Sequence, residues 1–256
     1  MKSPPHGRHI IVIIPAFNEA RAIGSVIGDI PDGLVDEVVV VNNASTDETA
    51  ENARHAGATV LTEHRRGYGY ACLAGIDYAR HRQPDILVFL DGDYSDHSDE
   101  MSLLVQPILH GNADFVVGSR SRGTSEPGAM LPQARLGNRL ACFLMRRIWG
   151  ARFTDLGPFR AIRFDALELL SMQDRTFGWT IEMQIKAVRA GLRCAEVPVS
   201  YRRRVGVSKV TGTLGGTVKA SAKILWTIAR YAQAELQREK TPTFWRESNE
   251  PENAIH

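Results

Sequence analysis

The sequence predicts an α/β protein built on a mostly parallel sheet, and three observations lead there. Short β-branched runs (Ile10–Ile14, Glu37–Val41, Thr59–Leu61 and Ile86–Leu90) alternate with stretches of helical length. Each run leads at once into a polar or glycine-bearing segment, as when parallel strands deliver their loops to one carboxyl edge. The 256 residues, 43% hydrophobic and 23% charged, suffice for one large globular domain.

The elements follow in order. After Ile10–Ile14, Asn18 is placed to cap a helix running to about Ile30. Ser45 and Glu48 have the spacing of a capping box for a helix ending near Gly57. A third helix is expected over Ala71–Arg82, and a fourth around Asp99–His110, before a strand at Asp114–Val117. Strand–helix alternation of this kind implies right-handed βαβ crossovers. Gly118–Pro132, rich in Gly, Ser, Arg and Pro, is expected to be a mobile loop. Beyond it we expect a helix (Ala134–Trp149), a strand-like run (Phe159–Arg163), a helix (Thr180–Ala190), a strand (Arg193–Tyr201) and a last helix (about Thr213–Gln237). The chain then divides into a tail (1–8), one domain (9–236) and a polar tail (237–256) expected to be disordered. Within the domain, 9–118 is expected to bind a nucleotide and 119–236 to build the acceptor side.

Several classes are excluded. Thirty-one Lys and Arg against 29 Asp and Glu leave a net charge of +2, which gives no bulk attraction for nucleic acid. Cys72, Cys142 and Cys194 stand far apart with no CxxC, as suits a reducing, cytoplasmic setting. No apolar run approaches the roughly 20 residues that cross a bilayer, and the opening MKSPPHGRH does not lead into a signal-peptide core. A P-loop, HExxH and GxSxG are absent. Gly67-Tyr68-Gly69 lacks the last glycine of a dinucleotide fingerprint and follows the third strand, not the first.

The segments at the predicted edge carry the chemistry: Pro15 to Glu19, Asn42 to Asp47, Arg65 to Gly69, and Asp91-Gly92-Asp93. Any one of them alone reads as a helix cap; four together point to a site. Two carboxylates one residue apart face a common point only if a cation or hydrogen bonds offset their repulsion. Mg²⁺ or Mn²⁺ bridging a diphosphate meets that need. An EF-hand reading fails, because its sixth position is Asp96 and its twelfth Ser102. Asp96 itself reads as a turn or cap residue.

Seven ordered segments (IIPAFNEA, VVVNNASTDET, RRGYGYACLAG, LVFLDGDYSD, DFVVGSR, TDLGPFRAIR and EVPVSYRRRVGVSK) resemble family 2 glycosyltransferases of the GT-A fold. The similarity is nearest to the dolichyl-phosphate mannose synthase and polyprenyl-phosphate branch, and spans roughly residues 9 to 210. The resemblance implies that Pro15, Phe17, Glu19 and Asp47 line the nucleoside pocket, that Gly67 lets the chain pass close to the nucleotide, and that Asp91 and Asp93 hold the metal. It implies that Arg203, Ser208 and Lys209 close over the diphosphate or the acceptor phosphate. Asn42 and Asn43 stand where the family has paired aspartates, so they meet the base without charge. The family's longer members carry C-terminal membrane spans that this chain does not show.

The expected activity is inverting, metal-dependent transfer of a sugar from a UDP or GDP donor to a polyprenyl phosphate or another lipid. The alternatives are a soluble hydroxyl acceptor, or a protein that only binds nucleotide sugars or a membrane surface. A hydroxyl acceptor needs a carboxylate base, for which Glu182 and Asp155 compete, while an ionised phosphate needs none. Arg160 is placed to pair with either acid or to grip an acceptor phosphate. From Tyr201 to Arg230 the chain has seven basic residues and no acid. Val218, Leu225, Ile228 and Ala229, with Trp226 beside them, make the last helix a candidate for peripheral membrane contact.

Overall fold

A computed structural model describes residues 7–206 and 214–240. Seven strands form one sheet: β1 (Ile10–Ala16), β2 (Glu37–Asn42), β3 (Thr59–Thr62), β4 (Ile86–Phe89), β5 (Phe115–Ser119), β6 (Arg160–Arg163) and β7 (Cys194–Pro198). Their spatial order is β3-β2-β1-β4-β6-β5-β7. All pairings are parallel except those of β6, which runs antiparallel to both β4 and β5. The helices are α1 (Ile23–Gly28), α2 (Thr49–His55), α3 (Tyr68–Arg82), α4 (Met101–Leu109), α5 (Pro132–Trp149), α6 (Phe164–Leu170), α7 (Trp179–Arg189) and α8 (Leu214–Lys240).

Alternation along the strands builds two cores. Ile11, Ile13, Val39, Val41, Leu87, Phe89, Phe115 and Val117 face one side, beneath α3, α5 and α7. Ile10, Val12, Ile14, Val40, Val88 and Val116 face the other, against Ile23 and Val26 of α1 and Leu104 and Val105 of α4. Both faces of the central strands are covered, which is why these runs are apolar throughout.

Four local expectations are corrected. Asn18 is not a cap: its φ is 54°, α1 starts only at Ile23, and the Asn18 amide oxygen accepts from Thr46 N at 2.8 Å. Ser45 and Glu48 do not form a capping box; Ser45 Oγ accepts from Asn18 N at 3.0 Å, and Glu48 caps with no side-chain bond. The Gly118–Pro132 segment is stitched down: Tyr201 N donates to Thr124 O and Glu126 N to Tyr201 O, each at 2.8 Å. Gly123 permits this, since a Cβ there would lie 2.0 Å from Val199 O. The last helix continues to Lys240, so the polar tail cannot begin at 237; residues 241–256 lie outside the described residues. On α8, Ile228 is buried against the core and Ile224 and Tyr231 pack beside it, while Ala229 is exposed. Leu225 and Trp226 stay exposed; the Val218 side chain is outside the described residues. Helix α6 was not legible in the sequence.

Candidate active site

The loops after β1, β2 and β3 interlock at one edge of the sheet. Asn43 Nδ2 donates to Arg65 O at 2.7 Å and to Glu63 O at 3.3 Å, while its Oδ1 accepts from Gly67 N at 2.8 Å. Asn43 is therefore a buried brace between two loops. Asn42 Oδ1 accepts from Ser45 N at 3.1 Å. Asp47 accepts from Ala20 N at 3.2 Å and Thr49 N at 3.1 Å, tying the first loop to the second. Pro15 is buried within β1. Glu19 N donates to Thr49 Oγ1 at 2.8 Å. Phe17 is partly exposed, with the Arg66 guanidinium 4.4 Å from its ring centre. Gly67, at φ 152°, lets the chain pass close to another segment: a Cβ would lie 2.4 Å from Arg175 O, the carbonyl of a loop before α7.

The exit of β4 gathers three acids. Asp93 is buried; its Oδ1 accepts from Ser95 N at 2.9 Å and Ser95 Oγ at 2.5 Å, and its Oδ2 pairs with Arg204 at 2.9 Å. Gly92 packs on Ile14 and Ala16 and seats the turn against β1. Asp91 Oδ1 and Asp96 Oδ1 are buried without a hydrogen-bond partner, as is the Tyr68 hydroxyl beside Asp91. Burial, then repulsion from Asp93, lifts the Asp91 pKa to about 7; burial, then repulsion from Asp91, lifts Asp96 to about 8. Asp96, read from the sequence as a turn residue, is 1% exposed and belongs to this cluster.

Such a pocket of hard oxygen donors, two of them unsatisfied, fits a divalent cation of the Mg²⁺ or Mn²⁺ kind. Among the described residues no group of three or more His, Cys, Asp or Glu is arranged to enclose an ion. The remaining ligands would have to come from phosphate oxygens and water, as for a metal carried with a diphosphate.

The segment after β7 lies across this loop. Arg202 N donates to Ser95 O at 3.0 Å and Val205 N to Asp93 O at 2.9 Å. The Arg202 guanidinium stacks 3.3 Å from the Tyr94 ring centre and pairs with Asp29 at 3.1 Å. Of the three arginines it is Arg204, not Arg203, that reaches the paired acids; Arg203 Nε donates to Pro127 O at 2.8 Å, on the far side. Ser208 and Lys209 lie outside the described residues.

The acids and the arginine proposed for the acceptor side are all engaged. Asp155, fully buried, takes a bidentate bond from Arg120 at 2.9 and 2.7 Å, plus Arg120 N at 2.7 Å. Glu182, 2% exposed, accepts from Asp174 N at 2.7 Å and Tyr231 Oη at 2.9 Å, and pairs with Lys186 at 2.9 Å. Arg160 is wholly buried, donates to Gly157 O at 3.1 Å and Thr180 O at 2.9 Å, and burial brings its pKa down to about 10. All three are buried and bonded to protein partners. Beside Asp155, between the end of β5 and α5, opens a cavity of about 560 Å³. Arg120, Arg135, Arg139 and Arg146 line it with Phe143 and Phe153. The sequence reading missed its α5 arginines, although their spacing of four and seven residues along one helix could have marked a cationic face.

An α/β sheet with one inserted antiparallel strand, an acid cluster at its carboxyl edge and a cationic cavity alongside is the arrangement expected of an enzyme that handles a nucleotide sugar. The chain belongs to glycosyl transferase family 2, whose family model matches residues 11–170. It is 35% identical over 217 residues to an uncharacterized glycosyltransferase of Mycobacterium tuberculosis, covering 84% of this chain and 95% of that one. An undecaprenyl-phosphate mannosyltransferase of Micrococcus luteus is 31% identical over 223 residues, covering 81% of this chain and 89% of its own. The crystal structure of glucosyl-3-phosphoglycerate synthase from Mycobacterium tuberculosis, in complex with Mn²⁺, UDP-glucose and phosphoglyceric acid, superposes with a TM-score of 0.67. That structure is 27% identical, covering 87% of this chain and 80% of the other. The fold is GT-A, and the protein is a glycosyltransferase.

Proposed function

We propose that the chain transfers a sugar, with inversion, from a nucleoside diphosphate sugar to a polyprenyl phosphate, using a divalent cation held by Asp91 and Asp93. The observation that carries this reading is the pairing of two sites: an acid cluster with unsatisfied oxygens, and a neighbouring cavity lined by four arginines and an apolar wall. Arg135, Arg139 and Arg146 pair with no acid among the described residues, so their charge is free for an anionic acceptor. Phe143 and Phe153 offer an apolar flank to the chain that carries the phosphate.

The metal, when bound, neutralises charge developing on the leaving diphosphate. Arg204 already lies against Asp93 and adds a second positive charge there. The arginine-lined cavity holds the acceptor phosphate and orients one oxygen toward the sugar. An ionised phosphate needs no proton removed before attack, which agrees with Asp155 and Glu182 being committed to Arg120 and to Tyr231 and Lys186. A uridine donor is the first to test, given the UDP-glucose complex of the structural relative.

Asp91→Asn is expected to abolish both transfer to polyprenyl phosphate and the Mn²⁺-dependent rise in melting temperature with UDP. Wild-type turnover in that variant would end the reading. A second acceptor, a small soluble phosphate-bearing acid, is favoured by the same arginines and by the phosphoglyceric acid complex. Parallel assays with undecaprenyl phosphate and 3-phosphoglycerate separate the two.

A further inference from the structure

Among the described residues, large apolar side chains are most densely exposed on α5. Leu136 is 69% exposed, Leu140 44% and Phe143 57%. Their spacing of four and then three residues sets them on one stripe of the helix, opposite the buried Asn138, Ala141 and Met145. The same helix carries Arg135, Arg139, Arg146 and Arg147 and no acid at all. Arg147, eleven residues beyond Leu136, falls back onto the apolar stripe. Helix α8 runs alongside: a Cβ on Gly137 would lie 3.8 Å from Ser221 Oγ, and Leu225, one turn beyond Ser221, is 40% exposed.

We propose that this α5 face, with Leu225 at its border, is the surface on which the enzyme docks to an anionic lipid bilayer. An apolar ridge flanked by guanidinium groups and free of carboxylates complements acidic headgroups over an acyl layer. The ridge is also continuous with the cationic cavity, because Phe143 belongs to both. A lipid rising from the bilayer along α5 would bring its phosphate to Arg135, Arg139 and Arg146. The docking face is thus centred on α5, whereas the sequence pointed to α8, of whose expected stripe Ile228 is buried in the core while Leu225 and Trp226 remain exposed. Docking needs no particular acceptor in the bilayer, so it stands or falls separately from the acceptor reading.

The test is co-sedimentation of the full chain with vesicles free of polyprenyl phosphate. One set is pure phosphatidylcholine, the other about one part phosphatidylglycerol to three of phosphatidylcholine. Wild type is expected on the anionic vesicles only, with binding weakened by salt. Leu136→Ser/Leu140→Ser/Phe143→Ser should lower the apparent affinity roughly tenfold or more. Arg147→Glu, an exposed single change, should lower it as well, and both variants should melt where wild type does. Undiminished binding by the triple variant, or a wild type that ignores anionic vesicles, overturns the proposal. So does a wild-type dimer that becomes a monomer in the triple variant without vesicle binding, which would give the face to a second copy.

Discussion

Burial and mutual repulsion push the Asp91 and Asp96 carboxyls up to about 7 and about 8 in the folded chain, well above the ordinary carboxylate range. The folded state therefore holds protons that the unfolded chain releases, and stability falls as pH climbs from about 4 to about 8. Asp96→Asn removes the charge that burial penalises. It should stabilise the metal-free protein by about 1–3 kcal/mol at pH 8 and leave it nearly unchanged at pH 4. Urea denaturation at the two values checks this, and an equal shift at both would contradict it. Mn²⁺ reverses the sign by favouring the ionised acids, so its effect on melting temperature should grow from pH 6 to pH 8. At this scale the sequence shows Asp91 and Asp93, whose spacing after an apolar strand is itself a signal. It hides Asp96 and Arg204, since nothing in DGDYSD says which acid is buried, and nothing in Arg202-Arg203-Arg204 says which one turns back to the acids.

Helices α3, α7 and α8 meet at a single loop, residues 171–178, and Glu182 organises it. Its carboxylate collects the backbone of Gln173 and Asp174, the Tyr231 hydroxyl of α8 and Lys186 of α7. Glu182→Ala strands these groups in a buried place, and should cost about 3–5 kcal/mol in a denaturation experiment. A catalytic base would instead lose turnover with its stability intact. The same loop explains Gly69, where a Cβ would lie 2.1 Å from Asp174 O. Gly69→Ala forces backbone apart and should cost about 1–3 kcal/mol, read from the same curves. Strands and long helices were legible from β-branched runs and periodicity. Helix α6 and the direction of β6 were not, because a short apolar segment looks alike in either case. The engaged state of Glu182, Asp155 and Arg160 was hidden for another reason: their partners, Tyr231, Arg120 and Thr180, are set by tertiary packing.

Across the molecule, the donor and acceptor halves expected at 9–118 and 119–236 share one sheet. β6, from the second half, lies between β4 and β5, from the first. A fragment ending at residue 118 would leave β5 without either neighbour and β4 with an open side. It should show neither cooperative melting nor dispersed amide resonances; a folded fragment would refute the interlock. The inserted strand also matters while the chain is being made. Roughly seventy residues separate Phe89 from Arg160, its partner in register. At about 5–20 residues per second, a ribosome leaves that apolar strand edge bare for several seconds. The arrangement that joins the two halves in one sheet thus leaves an apolar edge of the nascent polypeptide unpaired until Arg160–Arg163 have emerged.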